Sequence, residues 1–208
     1  MSLHLIIGDK RYSSWSMRPW LVLEMIGVPF TEQIIALSQS DTRALILKHS
    51  PTGKVPALVC EHGTIVDSLA ISEYLAELFP KAALWPVDVV ARAQARSACA
   101  QMHSGFMSLR SNMPMDLRHD QALEVISVDT QDDIERVVAL WAECRAASTE
   151  QGPFLFGKPS IVDAFFAPVA VRLRTYHVEL PATAAAYVET IYQWPAFQNW
   201  QQAGLEEG

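Results

Sequence analysis

The spacing of hydrophobic residues changes near residue 86. Before that point the apolar runs are short and alternate in type. LHLIIG, residues 3–8, reads as a buried strand, and residues 20–26 repeat at helical spacing until Gly27-Val28-Pro29 stops them. Residues 30–37 carry TEQIIA, a second strand with β-branched positions. Residues 41–48 form a short helix that Ser50-Pro51 ends, and VPALVC (residues 55–60) is a strand. EHG is a hairpin turn leading into a partner strand, TIVD. Residues 67–78 then make a strongly periodic helix with Leu69, Ile71, Tyr74, Leu75 and Leu78 on its apolar face, closed by Phe79-Pro80. The order strand, helix, strand, helix, strand, strand, helix predicts an α/β unit with a mixed sheet.

After WPVD (residues 85–88) the strand signals vanish. Residues 91–109, 130–150, 160–175 and 181–192 each read as helices of roughly three turns or more. The expected organisation is an α/β domain over residues 1–80, a linker over 81–88 and an all-helical domain over 89–208. Residues 112–130, with Pro114 and the charged stretch DLRHD, read as a loop or a broken helix. Ser160-Ile161-Val162-Asp163 is a capping-box start with aspartate in place of the usual glutamate, and it marks Asp163 as structural. Pro168 within the following apolar run implies a kink.

Composition narrows the function. The 208 residues are half hydrophobic, which suits a folded core. Acidic residues outnumber basic ones 23 to 16, a net charge of -7 that disfavours nucleic acid as a partner. No apolar run approaches the ~20 residues of a membrane span, and MSLHLIIGDK lacks a signal peptide's basic start. Cys60, Cys99 and Cys144 are odd in number and never in a CxxC, so neither a disulfide framework nor a zinc site is expected. All three are read as buried small hydrophobes. A cytoplasmic protein without a metal is the expectation.

Three stretches carry candidate chemistry. In RYSSWSMRPW, Pro19 belongs in a first helical turn, which makes Ser16 the natural N-cap. Ser13 and Ser14 are then spare, at a positive helix end that favours an anion by ~0.3–1 kcal/mol. A thiolate is one such anion. In GKVPAL, a proline opening a strand cannot donate to a ladder and is often cis. It leaves the amide and carbonyl of Val55 free to pair with an extended peptide. In VDSLAISEYLAE, Asp67-Ser68 is a helix cap that can also receive an ammonium at Asp67 and a carboxylate at Ser68.

These stretches, in this order on this frame, resemble the cytosolic glutathione S-transferases, in particular serine-type bacterial and zeta-like members. SSWSMRPWLVLEMIGVPF is similar to their first helix, SPTGKVPAL to their cis-proline segment and DSLAISEYLAELFP to their third helix. The resemblance implies a thioredoxin-like N-terminal domain followed by the all-α C-terminal domain of the glutathione S-transferase fold, usually a homodimer. It implies glutathione as co-substrate, held by Lys54, Val55, Asp67 and Ser68. Ser14, or else Ser13, would donate to its sulfur. A pocket for a small electrophile would be lined by Trp15, Met102, His103, Phe106 and Arg110. The family usually has Glu or Gln where Asp67 stands. The zeta class has cysteine where Trp15 stands and an arginine at the place of Thr175, beside Arg172 and Arg174 here. The leading expectation is a transferase that activates glutathione for attack on a mostly apolar electrophile. Glutathione-dependent cis-trans isomerisation of a maleyl-type diacid is the alternative, with Arg18, Arg110, Arg172 and Arg174 as candidate anchors. A noncatalytic binding protein of the same fold is the third.

Overall fold

In the computed structural model, which describes residues 2–207, strand β1 (His4–Gly8) sorts its side chains by the two-residue period of a strand. Leu5 and Ile7 enter the main core, while Ile6 faces the opposite way into a small cluster with Ile35, Ile46 and Ala57. A strand buried on both faces reads as an unbroken apolar run, which is what LHLIIG is. Helix α1 (Ser14–Ile26) follows and ends at Gly27, whose φ of 71° is a left-handed cap. Strand β2 (Thr31–Ile35) pairs in parallel with β1, and α2 (Thr42–Leu47) crosses back over the small cluster. Strands β3 (Ala57–Cys60) and β4 (Gly63–Ile65) form an antiparallel hairpin, giving the sheet order β2-β1-β3-β4. Helix α3 (Ser68–Leu78) packs against α1 on the main-core side.

The remaining elements are helical: α4 (Val89–Ser104), α5 (Met107–Asn112), α6 (Val128–Ala147), α7 (Ile161–Thr175), α8 (Ala182–Gln193) and α9 (Pro195–Glu206). Helix α7 is buried along nearly its whole length and packs on α1, so one core runs from the sheet's helices into the bundle. Its start is the expected capping box. The Asp163 carboxylate accepts from the Ser160 amide at 2.9 Å, from the Leu155 amide at 3.1 Å and from the Tyr187 hydroxyl at 2.9 Å. These donors compensate a carboxylate that is fully excluded from water.

Four expectations need correction. Ser16 is not the N-cap of α1. Ser13 is, with its hydroxyl accepting from the Ser16 amide at 3.4 Å. Ser13, Ser14 and Ser16 have equal capping propensity, and tertiary contact chose between them: the Ser16 hydroxyl accepts from the Gly8 amide at 3.1 Å and from the Ser13 hydroxyl at 2.7 Å, tying the helix to the end of β1. Pro19 is therefore the sixth helical residue, and the Trp15 carbonyl loses its helical donor. The helix read over residues 91–109 is two helices, broken where Gly105 is extended and Phe106 takes a φ of 59°. The break is held by Arg110, whose Nε donates to the Gly105 carbonyl at 2.9 Å and whose Nη2 donates to the Met102 carbonyl. Cys60 is only half-buried, at the hairpin, whereas Cys99 and Cys144 are buried. A further helix, α9, was not anticipated. Its apolar anchors Phe197 and Trp200 are few and spaced between polar residues, yet both are buried, and the Trp200 ring meets Trp20 of α1 edge-on at 5.3 Å.

Candidate active site

The site gathers where four chain segments meet beside the sheet: the start of α1, the turn before β3, the start of α3 and the end of α4. A cavity of about 820 Å³ lies there, walled by Trp15, Lys54, Val55, Asp67, Ser68 and His103 among others. Each wall residue owes its place to a local rule. Gly53 adopts a φ of 65°, which turns the chain into Lys54 and Val55. The Val55–Pro56 bond is cis. The sheet ladder begins only at Ala57, and Val55 forms no backbone hydrogen bond with the described residues. Val55, with its amide and carbonyl unpaired among the described residues, thus lines the cavity together with Lys54.

Asp67 and Ser68 open α3. Asp67 is the N-cap, with Oδ1 accepting from the Leu69 and Ala70 amides at 2.9 and 3.2 Å. Its other oxygen, Oδ2, lies 3.0 Å from Nε2 of His103 on α4. Ser68 is completely buried, yet its hydroxyl has no partner among the described residues. The His103 Nδ1 is likewise buried and unpartnered. Buried polar atoms are nearly always bonded, so an orphaned hydroxyl on a cavity wall marks a place for a ligand atom. At the α1 end, the Ser14 hydroxyl and the Trp15 amide make no hydrogen bond to described residues, while Ser13 is occupied as the cap. Ser14 and the Trp15 amide are thus two unspent donors at the positive end of a helix.

Behind Trp15 the charge is cationic. The Arg18 guanidinium lies 4.3 Å from the Trp15 ring centre and Arg110 lies 4.7 Å from it; Arg18 also stacks on Phe165 at 4.8 Å. Arg18 is fully buried, and its Nε and Nη1 have no partner among the described residues. Arg172 donates to the carbonyls of Met113 and Pro168 at 2.8 and 3.0 Å. None of the three meets a carboxylate at ion-pair distance among the described residues. Burial, then the charges of Arg110 and Arg172, pull Arg18 well down from the usual guanidinium range, and burial brings Arg172 down to about 10. A chain that is acidic overall therefore holds three guanidiniums without a carboxylate partner among the described residues behind the cavity wall, none of them lining the cavity itself. The cysteines offer no nucleophile there. Burial pushes the Cys99 thiol far up and Cys144 up to about 12, so both stay protonated.

A two-part match decides the family. Residues 12–78 fit the model of the glutathione S-transferase N-terminal domain, and residues 90–203 fit that of the C-terminal domain. The chain belongs to the glutathione S-transferase family. Among sequence relatives, a probable maleylacetoacetate isomerase of Caenorhabditis elegans is 32% identical over 99 residues, which span 48% of this chain and 46% of that protein, somewhat under half of its length. A probable maleylacetoacetate isomerase 2 of Drosophila melanogaster is 26% identical over 182 residues, 81% of this chain and 74% of that one. A solved structure of a glutathione transferase homologue from Burkholderia GL BGR1, with bound glutathione, covers 100% of both chains at 26% identity and a TM-score of 0.73.

Within this family member, the residues anticipated from sequence divide into two groups. Lys54, Val55, Asp67, Ser68, Trp15 and His103 share the one cavity. Ser13 and Ser14 do not line it; they lie one and two residues ahead of Trp15, each less than a tenth exposed. Met102 and Phe106 are core residues behind the wall, 1% and 8% exposed, and Arg110 approaches only through Trp15. Arg174 is turned away, paired with Glu189 at 3.2 Å on the surface. Sequence reading missed the Asp67–His103 pair and the free Trp15 amide. The first joins residues 36 positions apart; the second required knowing where α1 begins.

Proposed function

We propose that this protein is a glutathione transferase that binds the extended tripeptide along Val55 and presents its sulfur to the start of α1. The Val55 amide and carbonyl pair with the cysteinyl backbone, as an added strand would. The Ser68 hydroxyl and backbone amide receive the γ-glutamyl carboxylate, Asp67 its ammonium, and Lys54 the glycyl carboxylate. The Ser14 hydroxyl and the Trp15 amide donate to the sulfur, which keeps more of the thiol ionised near neutral pH. The thiol proton leaves to solvent; the sulfur forms a bond to the electrophilic carbon, and the leaving group departs with its electron pair. Holding both reactants together supplies much of the rate. The observation that carries this reading is the unpaired Val55 backbone facing the same cavity as the orphaned Ser68 hydroxyl. The protein acts as a homodimer in the cytoplasm, as is usual for the family.

The test is the ionisation of bound glutathione, followed by thiolate absorbance against pH. Ser14→Ala should raise the pH of half-ionisation by about one unit or more, and Ser13→Ala should raise it less. No change in either variant removes the serine mechanism.

The arginines favour a second reading: isomerisation of a maleyl-type diacid. Glutathione thiolate adds to the conjugated double bond, the resulting single bond rotates, and expulsion of the thiolate restores a trans alkene. Unneutralised guanidiniums near Trp15 suit a substrate bearing carboxylates. Turnover of maleylacetone measured against chlorodinitrobenzene conjugation separates the two reactions.

A further inference from the structure

The loop between β1 and α1, from Asp9 to Ser13, has no regular structure of its own, and its middle, Lys10 and Arg11, is held by α9 and Glu207 at the far end of the chain together with residues 116–117. The Glu207 carboxylate accepts from two consecutive loop amides, Lys10 at 2.8 Å through Oε1 and Arg11 at 3.0 Å through Oε2. The Lys10 carbonyl accepts from Trp200 Nε1 at 3.0 Å, and the Arg11 carbonyl accepts from the Leu117 amide at 3.3 Å. The Arg11 side chain makes a bidentate pair with Asp116 at 2.6 and 2.8 Å. Arg118, two residues on, donates to the carbonyls of Leu205 and Glu207 and closes the circuit. Locally, the Asp9 carbonyl accepts from the amides of Tyr12 and Ser13, and the Tyr12 carbonyl accepts from the Ser14 amide at 2.9 Å. Successive amides converging on one oxygen pair make an anion nest, and here the chain fills it with its own glutamate.

Helix α9 comes close enough to do this because residue 204 is glycine. A Cβ there would lie 2.5 Å from Leu117 Cδ1 and 3.1 Å from the Arg11 amide nitrogen. The approach is backbone against backbone, so the loop has little room to yield.

We infer that Glu207 is a positioning residue for the thiol-activating serine, holding Lys10 and Arg11 so that Ser13 caps α1 and the Ser14 hydroxyl is set toward the bound sulfur. The inference rests on the serine reading of the site. Geometry at the reacting atoms is costly to lose: a displacement of about 1 Å can lower rate by roughly a hundredfold. Charge and position make opposite demands, which allows a test. A carboxylate near the helix start disfavours a thiolate, so losing only its charge would lower the bound thiol's pKa. Losing its grip on the loop would raise it.

The experiment measures thiolate absorbance of bound glutathione against pH in Glu207→Ala, Glu207→Gln and Gly204→Ala, with Ser14→Ala alongside. Glu207→Ala should raise the pH of half-ionisation by about half a unit or more. It should lower kcat by roughly tenfold with KM for glutathione within about twofold. Glu207→Gln, which loses the charge but keeps one acceptor oxygen, should lie below Glu207→Ala. Gly204→Ala pushes on the same loop without touching the carboxylate and should shift the thiol in the same direction. A fall in the thiol pKa, or no change, in Glu207→Ala and Gly204→Ala overturns the assignment while Ser14→Ala still shifts it. If no serine variant shifts it, the serine reading fails and this inference fails with it.

Discussion

The Asp67 carboxylate serves two elements at once: Oδ1 caps α3, and Oδ2 lies 3.0 Å from His103 Nε2 on α4. One side chain of the sheet unit therefore fastens a helix start and meets the helical bundle across the cavity. The Asp67 side chain is more than half exposed, which leaves room for a ligand ammonium.

Asn and Asp cap helices about equally well, so substitutions at residue 67 separate its two tasks. Asp67→Asn should leave the melting temperature nearly unchanged and weaken glutathione by roughly tenfold or more in calorimetry, because a charged partner is lost. Asp67→Ala should add a stability loss of about 1 kcal/mol. Undiminished binding in Asp67→Asn would remove the ammonium contact.

The two serines should differ as sharply in stability as in chemistry. Ser13 caps α1 and bonds Ser16, so Ser13→Ala is expected to cost about 1–2 kcal/mol in urea unfolding. The Ser14 hydroxyl makes no hydrogen bond to the described residues, and Ser14→Ala should fall within about 0.5 kcal/mol of the unaltered protein.

Arg18 is a buried cation with no carboxylate at ion-pair distance among the described residues, a costly arrangement that a function would explain. Arg18→Met should be neutral or stabilising by about 1 kcal/mol. The same variant should lose roughly tenfold or more in kcat/KM toward a carboxylate-bearing acceptor and much less toward a neutral one. Equal losses on both acceptors would make Arg18 a packing residue.

Asp163 gives a pH dependence. Burial raises its carboxyl from 3.8 to about 6, against the opposing pull of the Leu155, Ser160 and Tyr187 donors. Between those values the folded chain holds a proton that the unfolded chain has released. Stability from this group is thus full below about pH 4 and is lost as pH rises through about 6, a change of about 3 kcal/mol. Asp163→Asn cannot titrate and leaves a donor facing Ser160, so it is less stable throughout. Its deficit in urea unfolding should shrink by about 2–3 kcal/mol from pH 4 to pH 7. A constant deficit would place the Asp163 carboxyl at its ordinary value.

What the sequence determined by itself is whatever depends on neighbours along the chain. The period of LHLIIG and of residues 67–78, the Asp67 cap, the Ser160–Asp163 box, the proline of Val55–Pro56 and the change of rhythm at residues 85–88 are local patterns, and each reappears as the element it implies. Tertiary structure decided the choices to which local rules are indifferent. Ser13 rather than Ser16 caps α1 because Gly8 claims the Ser16 hydroxyl. The α4–α5 break depends on Arg110 reaching back to Gly105. Asp67 meets His103, Arg18 lies between Trp15 and Phe165, and Glu207 grips a loop 196 residues away. Such contacts join side chains far apart in the chain, and their energies exist only once the helices have packed.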